Sequence, residues 1–134
     1  MIKVLWVVLA VLALFAAFVR LAPSDPARWH VAVEGGDADF TGGLRRVLPG
    51  RAGDLARLDA IIRATPRTHV LAGSVAEGRI TYVTRSRLWW FPDFTTAEAR
   101  GTDIAIWSRL RFGGSDLGVN AARLTRWLDA LGQG

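Results

Sequence analysis

Apolar residues follow three different patterns along this chain. Residues 4–19 form an uninterrupted apolar run between two basic residues. At 1.5 Å per residue, a helix over residues 2–22 is about 31 Å long, which matches the hydrocarbon core of a bilayer. The run therefore predicts a transmembrane anchor over residues 1–22. A cleaved signal peptide is the alternative, although residues 19–22 followed by proline make a poor cleavage site.

Two later segments have the spacing of amphipathic helices. Four apolar residues between positions 55 and 62 share one helical face, which Asp54 caps and Pro66 terminates. A second apolar face ends before Gly132. It consists of Leu124, Trp127, Leu128 and Leu131.

Between these helices, apolar and polar residues alternate with a period of two, as in strands. Turn signals at residues 76–78 and 100–102 divide the region into two hairpins. The predicted strands cover residues 68–75, 79–90, 94–99 and 103–112. The pattern predicts an α+β fold: an N-terminal transmembrane helix, then a small antiparallel sheet (about a four-stranded meander) with one or two helices packed on one face.

Proline and glycine mark the segment between the anchor and this fold. Pro23 and Pro26 favour an extended chain, and a glycine and aspartate cluster at residues 34–43 is typical of a loop. We therefore expect an anchor at 1–22, a linker and loop at 23–43, and a single α+β domain at 44–134.

The composition excludes several kinds of chemistry. The formal charge is +5, and all the basic residues except Lys3 are arginine, which is weak evidence for nucleic acid binding. The absence of cysteine excludes disulfides and thiolate catalysis. The two histidines, His30 and His69, lie in separate segments and form neither a metal site nor a catalytic triad. We expect no metal and no cofactor.

Four arginines are the candidate ligand-binding residues. Arg109 and Arg111 alternate onto one face of the last strand, and Arg85 and Arg87 do so two strands away, about 9.6 Å distant. If both pairs share a face, they form a surface suited to phosphate or carboxylate groups. The partner would be an anionic lipid or an acidic protein. The alternative is an ordinary solvated sheet face, partly neutralised by Glu98.

Two neighbouring segments leave further alternatives open. The sequence LWWFP at residues 88–92 fits either a membrane interface or the protein core. Asp93 and Asp116 would form a carboxylate pair only if the fold brings them together. In residues 113–118, Ser115 and Asp116 are expected to make turn hydrogen bonds, and Asp116 or Asn120 to cap the last helix.

The stretches TRSRLWWFPDF and SRLRFGGSDLGVNAAR resemble an uncharacterised bacterial and plastid family, domain of unknown function 1499, over roughly residues 55–131. Phe94 stands where a second acidic residue is usual, and the cysteine-rich segment of many relatives is absent. The resemblance implies a membrane-tethered or exported α+β domain and no known activity. The matching positions are Ser86, Phe91, Asp93, Ser108, Arg111, Gly113, Ser115, Asp116, Leu117, Gly118, Asn120 and Arg123.

These patterns favour a non-enzymatic module of the cell envelope that binds an anionic lipid or acidic partner through a basic sheet face. We expect a single-pass protein of the bacterial inner membrane, with the N-terminus inside and the domain in the periplasm. The alternative is an enzyme that acts on a small anionic envelope metabolite, with Asp93 or Asp116 as base. Nucleic acid binding would require a cytoplasmic domain and is the least favoured function.

Overall fold

The computed structural model describes residues 1–132, in which a long N-terminal helix precedes a six-stranded sheet flanked by shorter helices. The α+β class and the apolar N-terminal helix agree with the sequence patterns. The elements are α1 (Ile2–Leu21), α2 (Pro26–Trp29), β1 (Ala38–Phe40), β2 (Gly43–Pro49), α3 (Asp54–Arg63), β3 (Thr68–Ser74), β4 (Arg79–Arg85), β5 (Pro92–Arg100), β6 (Asp103–Leu110) and α4 (Val119–Leu131).

The sheet is antiparallel throughout and has the order β1-β2-β6-β5-β4-β3. The meander of four strands is present, but the predicted strand number is wrong because β1 and β2 extend the sheet beyond β6. β1 has three residues and lies inside the glycine and aspartate cluster. β2 has adjacent arginines at positions 45 and 46, which break the alternation. Its pairing with β6 begins at Gly43, where a Cβ atom would lie 1.9 Å from the Ser108 carbonyl oxygen.

Helices α3 and α4 pack on one face of the sheet, which we call the helical face. Tyr82 donates a hydrogen bond to Asp59 of α3, and Trp127 of α4 donates one to Thr65. The apolar side chains buried between these helices and the sheet stabilise the fold, since apolar area removed from water contributes about 25 cal/mol per Å². The residues of this buried cluster are Leu44, Leu55, Leu58, Ile62, Ile80, Tyr82, Ala97, Ile104, Ile106, Leu124, Trp127 and Leu131.

Asp54 is not the N-cap of helix α3 that the sequence predicts, but the first residue of the helix. Gly53, at φ 83°, is the N-cap. The Asp54 carboxylate accepts a hydrogen bond from the Arg51 amide and forms an ion pair with Arg57. Asp54 therefore stabilises the helix start from inside the first turn rather than from the cap position.

Residues 26–33 cover the opposite face of the sheet, which we call the second face. The Trp29 ring stacks on Phe94 at 3.9 Å with an interplanar angle of 6°. Val33 is buried and donates its amide to Glu98. Asp25 starts the segment by accepting a hydrogen bond from Ala27, with proline at the first helical position. The region that the prolines predict as a linker therefore packs on the sheet, and we call residues 26–33 the covering segment.

Helix α1 is long and apolar enough to cross a membrane, with a mean hydropathy of 2.7. Most of its side chains are exposed, except near its C-terminal end, where Val19 is buried. Such a helix is compatible with a single-pass anchor or with a signal sequence.

Replacement of Trp29 tests whether the covering segment is part of the folded domain. We expect Trp29→Ala to lower the free energy of unfolding by about 3–5 kcal/mol, because it exposes the buried surfaces of Val83 and Phe94. Urea unfolding of the full chain in detergent, followed by circular dichroism, measures the change. Val31→Ala is the matched control, since Val31 lies in the same segment but is exposed. Equal stability of the two variants would show that the segment contributes nothing to the fold.

Candidate functional site

The end of the sheet that lies next to α1 contains the turn sequences LWWFP and GGSDLG of the chain. Strands β4 and β6 finish here, and β5 and α4 begin here. We call this region, residues 85–93 and 110–120, the anchor-side end. Two edge-on ring contacts join it to α1: Phe15 with Phe91 at 6.2 Å, and Phe18 with Phe112 at 5.9 Å.

Two of the candidate arginines bond to the chain at the end of α1. Arg85 donates to the carbonyl oxygen of Val19 at 3.3 Å, and Arg111 donates to that of Pro23 at 2.8 Å. Carbonyls in the last turn of a helix have no partner within the helix, so Arg85 satisfies a group that would otherwise be free. Burial lowers the pKa of Arg85, and the charge of Arg111 lowers it further. The two guanidinium groups therefore lie close together beside the end of α1.

Arg87 lies in a loop and not on a strand. β4 ends at Arg85, so the predicted strand over 79–90 is wrong beyond that residue. The loop closes through two hydrogen bonds between Ser86 and Phe91, and Trp90 has a positive φ of 64° that a strand does not allow. Arg87 is exposed on this loop.

Arg109 is buried beneath the covering segment and does not belong to an open surface. Its guanidinium lies 4.0 Å from the centre of the Trp107 ring and 5.6 Å from that of Trp29. It donates hydrogen bonds to Thr96 and to the carbonyl oxygen of Trp29. Burial lowers its pKa to about 10. The register places Arg85 and Arg109 on the same face, but Trp29 closes that face over Arg109.

Large apolar side chains project from the anchor-side end into solvent. Leu88 is 79% exposed, Trp89 51% and Leu117 91%. Phe91 is half-buried and contacts both Phe15 and Phe112. The LWWFP stretch is therefore divided: residues 88–90 face outward, and the rest packs against α1 and the sheet.

A buried polar cluster lies behind these residues. The Arg123 guanidinium donates to Asp93 at 3.3 Å and to the Asn120 side-chain oxygen at 3.2 Å. Burial raises the pKa of Asp93, and the Arg123 charge offsets part of that rise. Within residues 1–132, the side-chain nitrogen of Asn120 has no hydrogen-bond partner although the residue is fully buried. Such an unsatisfied group is costly, which marks this cluster as unusual.

Asp116 organises the turn before α4. Its carboxylate accepts hydrogen bonds from the amides of Gly118 at 3.0 Å and Asn120 at 2.9 Å. Burial acts to raise its pKa, but these hydrogen bonds outweigh burial and lower it. Ser115 accepts a hydrogen bond from the Leu117 amide. Gly118 occupies the N-cap position, and Asn120 lies inside the helix.

The two carboxylates meet at one cavity of about 280 Å³. Asp93 and Asp116 both line it, and the negative charge of Asp116 adds to the rise in the pKa of Asp93. The fold therefore brings together two acidic groups whose pKa values shift in opposite directions, an arrangement found in acid–base sites. The apolar part of the lining consists of Leu88, Trp89, Phe91, Leu110, Phe112, Leu117 and Val119.

A second cavity, of about 490 Å³, lies between the end of α3 and the start of α4. Arg67, Arg123 and Arg126 line it, and Val119 lines both cavities. The family motif includes Arg123, but Arg67 and Arg126 follow no strand alternation or motif. Sequence patterns miss them because only the packing of α3 against α4 brings them together.

The two histidines lie on separate elements, His30 in the covering segment and His69 on β3. His30 shares a hydrogen bond with Thr81 of β4, and His69 is exposed. Across residues 1–132, no group of three or more histidine, aspartate or glutamate side chains is placed to hold a metal ion.

A family model described as "Protein of unknown function (DUF1499)" matches residues 24–131. The match includes the covering segment, the sheet and α4, and it begins just after α1. Comparison with curated proteins gave no match.

The pKa of Asp93 is raised and that of Asp116 is lowered. The two carboxylates should therefore change the free energy of unfolding in opposite directions as pH rises. The raised pKa of Asp93 means that the native state holds its proton longer than the unfolded state. Its ionisation therefore lowers the free energy of unfolding as pH rises above about 3.8. We expect Asp93→Asn to remove this loss, so that stability relative to the wild type increases with pH in that window.

Asp116→Asn is the matched comparison. Its lowered pKa contributes stability that is present above pH 3.8 and is lost as pH falls below it. Urea unfolding from pH 2.5 to 7 should therefore show a weaker acid dependence in Asp116→Asn than in the wild type. Parallel pH profiles for the two variants would contradict the assignment.

Proposed function

The chain belongs to the DUF1499 family, and on that premise we propose that it is a membrane-anchored, non-enzymatic module that binds anionic lipid headgroups through the arginines of its anchor-side end. The family description names no activity, so the residues must support the function. In this proposal α1 is an uncleaved anchor in the bacterial inner membrane. The N-terminus lies in the cytoplasm and the domain in the periplasm.

The observation that carries the proposal is the position of Arg85 and Arg111 relative to α1. Both donate to backbone carbonyls between Val19 and Pro23, where the apolar helix ends. When α1 spans a bilayer, its end lies at the depth of the lipid headgroups. The two guanidinium groups then lie among the phosphates, which the planar guanidinium binds bidentately. Arg87 is exposed two residues after Arg85 and adds a third basic group to this end of the sheet.

The proposed binding set is smaller than the sequence alone indicates. Arg109 has its donors committed to Thr96 and the Trp29 carbonyl, so it supports the fold and contacts no headgroup. Arg67 and Arg126 enlarge the basic surface from the neighbouring cavity. The proposed ligand surface is therefore the end of the sheet and not its face.

Substitution of the three exposed or half-exposed arginines tests the proposal. We expect Arg85→Gln, Arg87→Gln and Arg111→Gln together to abolish the enrichment of phosphatidylglycerol over phosphatidylcholine around the full chain. Each basic residue near an anionic surface contributes about 1 kcal/mol, so each single change should weaken enrichment about fivefold. Native mass spectrometry of lipids retained from mixed nanodiscs measures it, at low and high salt.

Arg100→Gln is the matched control, since Arg100 lies at the opposite end of β5. It should leave the enrichment unchanged. Wild-type enrichment in the triple variant would overturn the lipid proposal. If the triple variant instead loses a protein that crosslinks to the wild type, the arginines bind an acidic partner and not lipid.

A second candidate function rests on the shared cavity of Asp93 and Asp116. Their opposite pKa shifts suit an enzyme that acts on a small anionic envelope metabolite, with one carboxylate as base and the arginines holding the anion. The ion pair between Arg123 and Asp93 already occupies one of these carboxylates.

One set of variants distinguishes the enzyme from the binding module. For an enzyme, Asp93→Asn or Asp116→Asn should make an anionic metabolite accumulate in cells while lipid enrichment in nanodiscs persists. For a binding module, neither substitution should change the metabolite profile obtained by mass spectrometry. The triple arginine variant serves as the reverse control, because it removes enrichment while both carboxylates remain.

A further inference from the structure

The contacts between α1 and the anchor-side end determine how deep the domain lies in a bilayer. Helix α1 has 20 residues, and at 1.5 Å per residue it is about 30 Å long. That length equals the hydrocarbon thickness of a typical bilayer, about 30 Å, so an upright α1 needs all of its turns inside the lipid. Nevertheless, the last turns of α1 contact the domain, at Phe15, Phe18 and Val19.

These two facts allow two placements. If the domain stays wholly above the lipid, Phe15 must lie above it as well, and residues 2–14 then span only about 20 Å of the hydrocarbon core. If α1 spans fully, the part of the domain that contacts Phe15 lies about 9 Å below the end of the helix. The first placement leaves a mismatch of about 10 Å, at a cost of a fraction of a kcal/mol for each ångström.

The side chains of the anchor-side end favour the second placement. Leu88, Trp89 and Leu117 are at least half exposed, and Trp90 lies on the same loop. In water these side chains are unfavourable, whereas tryptophan is preferred at the boundary between headgroups and acyl chains. Arg85, Arg87 and Arg111 lie at the same end of the sheet. Exposed apolar side chains and guanidinium groups therefore occur together at this end.

We propose that the anchor-side end is embedded in the outer part of the lipid leaflet, with Leu88, Trp89, Trp90 and Leu117 among the upper acyl chains and the arginines at the headgroups. The inference rests on α1 being a membrane anchor, as in the proposed function. It adds a second membrane contact, which holds the domain in one orientation. The cavity of about 280 Å³ then lies at the lipid boundary, because Leu88, Trp89 and Leu117 line it together with Asp93 and Asp116.

The absence of cysteine allows this depth to be measured on the full chain. Single substitutions Leu88→Cys and Leu117→Cys, labelled with the fluorophore NBD, report on the anchor-side end. Ala76→Cys is the matched control, because Ala76 is exposed in the turn between β3 and β4 at the far end of the sheet. The chains are reconstituted in pure phosphatidylcholine vesicles that contain lipids with a spin label at a shallow or a deep acyl position.

We expect the labels at positions 88 and 117 to be quenched most by the shallow spin label, at a depth of about 5–10 Å, and the label at position 76 to remain in water. Labels at 88 and 117 that behave like the label at 76 would overturn the embedding. Labels shielded from water but not quenched by either lipid would also overturn it, because a second copy of the chain would then cover these residues.

The use of zwitterionic lipid separates this inference from the proposed function. Embedding follows from the length of α1 and from the ring contacts of Phe15 and Phe18, so it should persist without anionic lipid. It should also persist in Arg87→Gln, the one of the three arginine substitutions that leaves the hydrogen bonds of Arg85 and Arg111 to the α1 end in place. A wild-type chain that is embedded to this depth but shows no phosphatidylglycerol enrichment would contradict the headgroup proposal alone. A chain that carbonate extracts from the vesicles would overturn both, because α1 would then not be an anchor.

Discussion

The packing of Trp29 on Phe94 and over Arg109 of the sheet is the interaction on which the rest of the structure depends. Both faces of this sheet are apolar at their centres, since Val83 and Phe94 on the second face are as fully buried as Ile80 and Tyr82 on the helical face. Helices α3 and α4 cover one face only. The other requires the covering segment, which follows α1 by only a few residues. A domain that must use the chain next to α1 as part of its own core cannot lie far from the end of α1.

This constraint explains why Arg85 and Arg111 reach the chain at the end of α1. With the covering segment fixed on the second face, Pro23 and Val19 lie beside the ends of β4 and β6, within reach of Arg111 and Arg85. The same closure buries Arg109, so the face that alternation predicts as a basic surface becomes an interior layer. The accessible guanidinium groups therefore lie at the end of the sheet beside α1 and not on its face.

Local patterns predict the elements whose neighbours are close in sequence. The apolar run of α1, the face of α4 and the turn at Gly101 between paired Arg100 and Asp103 all follow from residue spacing. Strand β2 is different, because its adjacent arginines hide the alternation and only pairing with β6, some sixty residues later, makes it a strand. The covering segment looks like a linker because proline dominates its start, while one tryptophan makes its long-range contact. The meeting of Asp93 with Asp116 likewise depends on where α4 packs.

The position of the covering segment also has a consequence for biosynthesis. Residues 26–33 leave the ribosome soon after α1, but the surface that they cover is formed by β4, β5 and β6, which are made much later. About eighty residues are therefore synthesised after Trp29 before Arg109, which donates to the Trp29 carbonyl oxygen, is available. Contacts of such large sequence separation form slowly. If α1 is held in a membrane, as proposed, the indole ring is close to the membrane surface during that interval, and a bilayer boundary accommodates tryptophan well until the domain closes.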